Sequence, residues 1–129
     1  MNKFFAAACA ALFVFATATS AHADEKMLKK GAKVYKKCKA CHAVGPDAKN
    51  KVGPVLNGIV GRKAASYEGF EYSPAMKAKG DEGVEWTEEN LDKFLKKPKD
   101  FVDGTKMAFS GLRKDKDRVA IIAYLKSLN

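Results

Sequence analysis

Two cysteines and a histidine stand in the run Cys38-Lys39-Ala40-Cys41-His42. Two thiols at this spacing can add to the two vinyl groups of a haem and hold one edge of it. The histidine that follows directly is then brought under the iron as an axial ligand. The C-x-x-C-H pattern is therefore typical of c-type haem attachment, and it predicts one covalently bound haem c per chain.

Three other kinds of site use paired cysteines, and the sequence favours none of them. A thioredoxin-like motif lies near a βαβ pattern, whereas no alternating apolar run here predicts a strand. A structural zinc site usually has four Cys or His ligands, but the chain after residue 23 has only Cys38, Cys41 and His42. A plain disulfide would use the two thiols, but it would account for neither His42 nor the long loops of the chain.

A methionine is the expected donor on the far side of the iron, because no second histidine follows residue 23. Met107 lies in a loop bounded by Gly104 and Gly111, where it is reachable from that side. The helical pattern places Met27 on an apolar face, which favours the core, and Met76 in a small polar helix, which makes it the weaker candidate. His/Met ligation fills both axial positions and raises the potential, so it suits electron transfer better than substrate binding.

The first 23 residues have the pattern of a secretory signal peptide. Lys3 precedes an apolar run over residues 4–16, and a small-x-small site follows at Ala21-His22-Ala23. That run of 13 residues is shorter than the ~20 that a membrane span needs, so cleavage after Ala23 is favoured over an anchor. We expect residues 1–23 to be removed and residues 24–129 to form a single domain.

Apolar periodicity indicates an all-α domain with unusually long loops. The predicted helices cover residues 26–41, residues 74–79 with a stop at Gly80, a stretch capped by Thr87 and limited by Pro98, and a last stretch from Asp115 or Asp117. Residues 43–72 and 100–111 are predicted loops, with a short turn of helix near 55–60. Loops of this length need something to wrap around, and a large apolar cofactor would supply it.

The charge of the chain favours one class of partner over another. The formal net charge is +9, from 24 basic and 15 acidic residues. Only Arg62, Arg113 and Arg118 are arginines, although arginine is the residue that base-reading proteins prefer. The excess of lysine predicts a docking surface for acidic partners and opposes nucleic-acid binding.

At these residues the sequence resembles the class I c-type cytochromes, the family of bacterial cytochrome c2 and mitochondrial cytochrome c. The resemblance covers nearly all of residues 26–129. It implies the small cytochrome c fold, with N- and C-terminal helices packed crosswise and long loops wrapped around one haem. Gly31 and Tyr35 resemble the residues of the N-terminal helix that pack on the C-terminal one.

The resemblance also assigns residues around the haem. Pro54 resembles the proline whose carbonyl accepts a hydrogen bond from the axial His42, and Met107 resembles the axial methionine. Phe109 is implied to lie beside the haem edge. The remaining four match residues that meet the haem propionates: Arg62, Tyr72, Trp86 and Thr105.

Three positions depart from the family pattern. The family often has a tyrosine near the axial sulfur, where this chain has Phe94, and an asparagine near a buried water, where this chain has Met76. Both changes remove polar groups from the haem pocket, and we hypothesise that Phe94 leaves the Met107 sulfur without a hydroxyl partner. Asp103 replaces a common proline, which predicts a looser Met107 loop.

The function implied by the resemblance is electron transfer and not enzymatic catalysis. The chain would be a monomeric periplasmic shuttle, not inserted in the membrane. It would carry electrons from a cytochrome bc1 complex to a photosynthetic reaction centre, a terminal oxidase or another reductase. Lysines at matching positions would meet acidic docking sites on these complexes: Lys37, Lys51, Lys99 and Lys106.

Two other functional classes make different demands. A haem peroxidase or gas sensor needs an open iron position and a polar distal group, which the absence of a second histidine and the placement of Met107 disfavour. A haem-free nucleic-acid binder would account only for the charge. The export signal, the scarcity of arginine and the cysteine-histidine motif all oppose it.

Overall fold

Helices joined by long loops make up the structure, a computed structural model that describes residues 18–129. Its helices are α1 (Ala18–Tyr35), α2 (Pro74–Asp81), α3 (Glu88–Lys96), α4 (Pro98–Phe101) and α5 (Asp115–Lys126). Over residues 18–129 no strand forms, and an isolated antiparallel bridge joins Lys63 to Glu85. The prediction of an all-α domain with long loops is confirmed.

The contact between α1 and α5 depends on the smallest residue of the apolar face of α1. Gly31 is buried, and a Cβ at this position would collide with the carbonyl oxygen of Ala120. One turn later, the Tyr35 ring lies 5.6 Å from the Tyr124 ring, centroid to centroid. Glycine in a helix costs about 1 kcal/mol relative to alanine. The close approach of the two helices is the reason that this position carries one.

Both ends of α1 differ from the prediction of a helix over residues 26–41. The helix begins at Ala18 and ends at Tyr35, and the chain continues to residue 41 in hydrogen-bonded turns. Met27 was expected in the core, but it is 36% exposed, because nothing covers residues 21–29 of α1. The predicted signal peptide falls mainly on residues 1–17, outside the described residues, and its cleavage after Ala23 stays a prediction.

Side-chain caps begin two of the helices. The Thr87 hydroxyl accepts a hydrogen bond from the α3 main chain at 3.1 Å, as predicted, and the Ser73 hydroxyl does the same for α2 at 3.2 Å. The prediction that Gly80 stops α2 is wrong, because the helix continues to Asp81. Gly80 is buried, and a Cβ there would lie 2.5 Å from the Ala64 carbonyl oxygen. This glycine allows a loop to approach the helix.

The observed boundaries of α3 and α5 lie closer to the predicted ones. Pro98 ends α3 as predicted, but it also opens α4, which extends to Phe101 and into the predicted loop. The start of α5 at Asp115 is confirmed. Residues 55–60 form no turn of helix, and turns occur only at residues 57–58 and 60.

One apolar core lies between α1, α3, α5 and the loops. Its buried members include Val34, Trp86, Phe94, Ile121 and Leu125, and Cys38, Met107 and Phe109 pack against its edge. Among the helices of residues 18–129, none combines the length and the hydropathy that a membrane crossing requires.

Candidate functional site

His42 is fixed by contacts to its ring and to its main chain. Its Nδ1 lies 2.7 Å from the Pro54 carbonyl oxygen. Its main-chain N–H donates to the Cys38 carbonyl at 2.9 Å, and its own carbonyl accepts from the Tyr35 hydroxyl at 3.1 Å. A carbonyl oxygen can only accept, so Nδ1 carries the ring proton and Nε2 keeps its lone pair. This is the arrangement of a metal-binding histidine.

The residue before Pro54 packs directly on the imidazole. A Cβ at Gly53 would lie 2.8 Å from both ring nitrogens of His42, and the Gly53 amide donates to the Cys41 carbonyl at 2.8 Å. Burial lowers the pKa of His42, and the charge of Lys51 lowers it further, while the hydrogen bond to Pro54 opposes both. The ring is therefore neutral near pH 7, the form that ligates metals.

The two thiols lie on the turn that leads into His42. The Cys41 amide donates to the Cys38 carbonyl at 3.0 Å, which keeps this turn tight. The sulfurs are not joined in a disulfide. Burial raises the pKa of the Cys38 thiol, whereas Cys41 is exposed. The pair thus spans the boundary between the core and the solvent.

Asparagine side chains hold the loop that carries Pro54, and sequence reasoning missed them. Asn57 accepts from the Gly45 amide at 2.9 Å and donates to the Gly45 carbonyl at 2.7 Å. Asn50 accepts from the Val55 amide at 2.9 Å. These bonds satisfy main-chain groups that lack helix or strand partners. Asparagine within a turn-rich segment was the available signal, and it does not identify the partner.

The loop that carries Met107 is fixed near its ends. Gly104 and Gly111 have φ angles of 85° and 102°, in the left-handed region that glycine enters at little cost. The Thr105 hydroxyl accepts from the Met107 amide at 3.2 Å. Met107 and Phe109 are half-buried against the edge of the core. The structure therefore holds the thioether beside the same core that Cys38 touches.

A buried arginine secures the end of this loop. Arg118 on α5 is only 3% exposed, and it donates to the carbonyls of Leu112 and Arg113 at 2.8 and 3.1 Å. It also pairs with Asp92 at 2.7 Å and with Asp115 at 2.6 Å. Sequence reasoning missed this residue, although an arginine one turn before the apolar stripe of α5 was a usable signal.

Arg62 is half-buried and lacks one hydrogen-bond partner. Its two terminal nitrogens donate to the Asn57 and Val55 carbonyls at 2.9 and 3.3 Å. In the part of the chain that the structure describes, its Nε is buried with no acceptor. Burial also lowers the pKa of this guanidinium. A buried donor without a partner costs about 1–3 kcal/mol, so the position fits an anionic group.

Tyr72 and Trp86 connect to Arg62 in one cluster. The Tyr72 hydroxyl accepts from the Tyr67 amide at 3.2 Å, and burial raises the pKa of Tyr72. The Trp86 amide donates to the Arg62 carbonyl at 2.8 Å. The Trp86 ring is buried in the core, 4.9 Å from the Phe94 ring. The structure thus places Arg62 and Tyr72 close to each other and joins Trp86 to Arg62 through the main chain, while Thr105 lies in the Met107 loop.

The predicted docking lysines all lie on the surface: Lys37, Lys51, Lys99 and Lys106. The Lys51 ammonium donates to the Lys39 carbonyl at 2.7 Å, so this side chain also ties the loop to the cysteine turn. No local pattern predicts this bond, because it joins residues 12 positions apart in different turns.

These groups together fit a haem. Two thiols precede an imidazole that has a free Nε2, a thioether lies at the edge of the same core, and a buried guanidinium N–H points to an anion. The cysteine-histidine motif alone does not explain why the Arg62 Nε–H has no hydrogen-bond partner. A haem propionate would accept a hydrogen bond from it.

Comparison with known proteins gives a consistent result. The family model described as Cytochrome c matches residues 28–129. The chain is 50% identical to cytochrome c2 of Afifella marina over 99 residues, covering 77% of this chain and 80% of that protein. It is 53% identical to cytochrome c-550 of Ancylobacter novellus over 100 residues, covering 78% and 94%. The solved structure of cytochrome c2 from Rhodospirillum centenum superimposes with a TM-score of 0.75 at 42% identity, covering 78% of this chain and 97% of that one.

Proposed function

The chain belongs to the cytochrome c family, and from this premise we propose that it is a one-electron carrier with one covalently attached haem c. The observation that carries the proposal is the geometry of His42. Its Nδ1 is committed to the Pro54 carbonyl at 2.7 Å, next to two free thiols. When bound, the haem supplies a couple between ferric and ferrous iron.

Each side chain of the site has a distinct part in holding this group. Cys38 and Cys41 anchor it at the boundary between core and solvent. His42, oriented by Pro54, would hold the iron on one side of the haem, and Met107 would hold it on the other. A thioether donor raises the potential. With His42 and Met107 both holding the iron, no place would be left there for a substrate, which is why the proposal is a carrier and not an enzyme.

Four propionate contacts and one edge contact complete the assignment. Arg62 offers its unpartnered Nε–H, and Tyr72 keeps a free hydroxyl proton because its oxygen accepts from a main-chain amide. Trp86, Thr105 and Phe109 are assigned by resemblance, supported by their positions in the core and in the Met107 loop.

We place the carrier in the periplasm, after removal of residues 1–23, as a monomer that docks on membrane complexes. Its donor would be a cytochrome bc1 complex, and its acceptor a photosynthetic reaction centre or a terminal oxidase. The net charge of +9, to which residues 1–23 contribute only Lys3, and the exposure of all four docking lysines support this: Lys37, Lys51, Lys99 and Lys106. Charged faces of this kind speed encounter and lose strength as salt rises.

Absorption spectra of protein matured in a bacterial periplasm test the ligand assignment. We expect a c-type spectrum in both redox states, with a weak far-red methionine-to-iron band in the oxidised protein. Met107→Ala should abolish that band. Met76→Ala is the matched control, because Met76 also packs at the edge of the core, and it should keep the band.

Two other results would contradict the assignment. Loss of the band in Met76→Ala, with retention in Met107→Ala, would exchange the two methionines. A c-type spectrum without the band in the wild type, together with rapid carbon monoxide binding after reduction, would indicate an open iron and favour a peroxidase or a sensor.

A further inference from the structure

Tyr67 contacts both Arg62 and Tyr72, and no role was assigned to it by the sequence or by the resemblance. The Cζ atom of Arg62 lies 4.9 Å from the centroid of the Tyr67 ring. The main-chain amide of Tyr67 donates to the Tyr72 hydroxyl oxygen at 3.2 Å. A single residue therefore touches two of the side chains expected to meet an anion.

The first contact restrains the guanidinium of Arg62. Its terminal nitrogens are held by two main-chain carbonyls, at 2.9 and 3.3 Å. An aromatic ring beside a guanidinium attracts it and restricts its tilt. With three sides of the group fixed in this way, the remaining Nε–H has one direction in which to donate.

The second contact, from the Tyr67 amide, orients the hydroxyl of Tyr72. A phenol has one proton to donate and lone pairs that accept. Because the Tyr67 amide already occupies a lone pair, the hydroxyl proton is left for another acceptor. Arg62 then offers its Nε–H and Tyr72 offers its hydroxyl proton, and Tyr67 restrains the direction of both donors.

We propose that Tyr67 is a positioning residue that aims the Arg62 Nε–H and the Tyr72 hydroxyl at one carboxylate. This inference rests on the proposed function, in which that carboxylate is a haem propionate. A cation held close to this group stabilises the reduced state of the carrier, because reduction adds one negative charge. Loss of the Tyr67 ring should let water screen Arg62 and shift the equilibrium toward the oxidised state.

The test compares three variants by redox titration of the purified holoprotein. Tyr67→Phe keeps the ring and should match the wild type. Tyr67→Ala removes the ring, and Tyr67→Leu keeps apolar bulk without a π face. Both should raise the oxidised-to-reduced ratio at the wild-type midpoint by up to about two- to fivefold, the full strength of a cation–π contact at a partly exposed site, since only the part of that contact that differs between the two redox states shifts the ratio. Each variant retains the main-chain amide that meets Tyr72.

A second background shows whether the effect passes through Arg62. In Arg62→Gln, the change Tyr67→Ala should leave the ratio unaltered. Proton exchange at the Arg62 Nε–H, followed by NMR of the reduced protein, should be several-fold faster in Tyr67→Ala than in Tyr67→Phe. A role limited to packing would lower the melting temperature without either of these signatures.

Three results would overturn the inference. The first is an unchanged oxidised-to-reduced ratio in Tyr67→Ala and Tyr67→Leu with the c-type spectrum intact. The second is a shift of that ratio by Tyr67→Ala that is equally large in the Arg62→Gln background. The third is an equal proton exchange rate at the Arg62 Nε–H in Tyr67→Ala and Tyr67→Phe. If the wild type matured in the periplasm has no c-type absorbance, the proposed function fails and this inference fails with it. That outcome is recognised from the spectrum before any variant is measured.

Discussion

Replacement of Gly53 by alanine tests how the chain fixes His42. A Cβ at this position would lie 2.8 Å from both ring nitrogens, whereas ordinary van der Waals contact begins at 3.4 Å. The Cε1 atom of the ring would lie closer still, so the imidazole must move by more than about 0.6 Å, the difference between these two distances. A shift of that size along the bond would lengthen the 2.7 Å hydrogen bond between Nδ1 and the Pro54 carbonyl beyond about 3.2 Å, the usual upper limit for such bonds.

The cost follows from three contributions. Overpacking costs about 1–3 kcal/mol, and loss of the hydrogen bond costs about 1 kcal/mol. Alanine restricts the unfolded chain, which returns about 0.4–1 kcal/mol. We therefore expect Gly53→Ala to lower the free energy of unfolding by roughly 1–4 kcal/mol, and to displace His42, the proposed iron ligand, as well.

The assay combines denaturant unfolding with spectroscopy of the oxidised holoprotein. Gly31→Ala is the matched control, because it also adds a methyl group at a buried glycine, but its collision is with the α5 main chain at Ala120. Both variants should lose stability. Only Gly53→Ala should change the paramagnetically shifted His42 resonances and the reduction potential.

Two results would refute the reasoning. If Gly53→Ala unfolds like the wild type, the loop accommodates the methyl group and Gly53 does not restrain the ring. If Gly31→Ala changes the His42 resonances as strongly as Gly53→Ala does, the effect comes from general loosening of the fold.

Three further predictions concern other parts of the site. Phe94→Tyr should change the reduction potential by offering the Met107 sulfur a hydroxyl, and an unchanged midpoint would show that the sulfur does not meet position 94. Arg118→Leu should lower the unfolding free energy by roughly 2–3 kcal/mol and weaken the far-red band, because the loop after Met107 loses the donors that hold it. Asp92→Asn is the control, because it keeps those donors. A band that weakens equally in both variants would argue against this cause. Lys106→Glu should slow electron transfer to an acidic partner at low salt and lose that effect at high salt, and stopped-flow rates that do not depend on salt would exclude a docking role.

The prediction from sequence was best where the cause is local. The cysteine-histidine turn is set by residues three and four apart, and its bonds to the Cys38 carbonyl are the ones that this spacing allows. The cap at Thr87 and the limit at Pro98 likewise depend on backbone groups within one turn. Each was predicted from neighbouring residues and observed in the structure.

The predictions that failed concern burial. Met27 follows the apolar stripe of α1, but it is exposed because α5 contacts the helix further along, at Gly31. Gly80 was interpreted as a helix stop, and it is instead the point where the Ala64 carbonyl approaches. Periodicity states which face of a helix is apolar, but it does not state where along the helix a neighbour covers that face.

The amino-acid sequence by itself determined the chemistry of this protein: which side chains can bind a haem, and in which order along the chain. Tertiary structure alone decided the partners that orient those side chains. Arg118 reaches Asp92 across 26 positions, and His42 reaches the Pro54 carbonyl across 12. Such pairs form only when loops without regular structure are folded against each other, and no local pattern encodes which main-chain groups then meet.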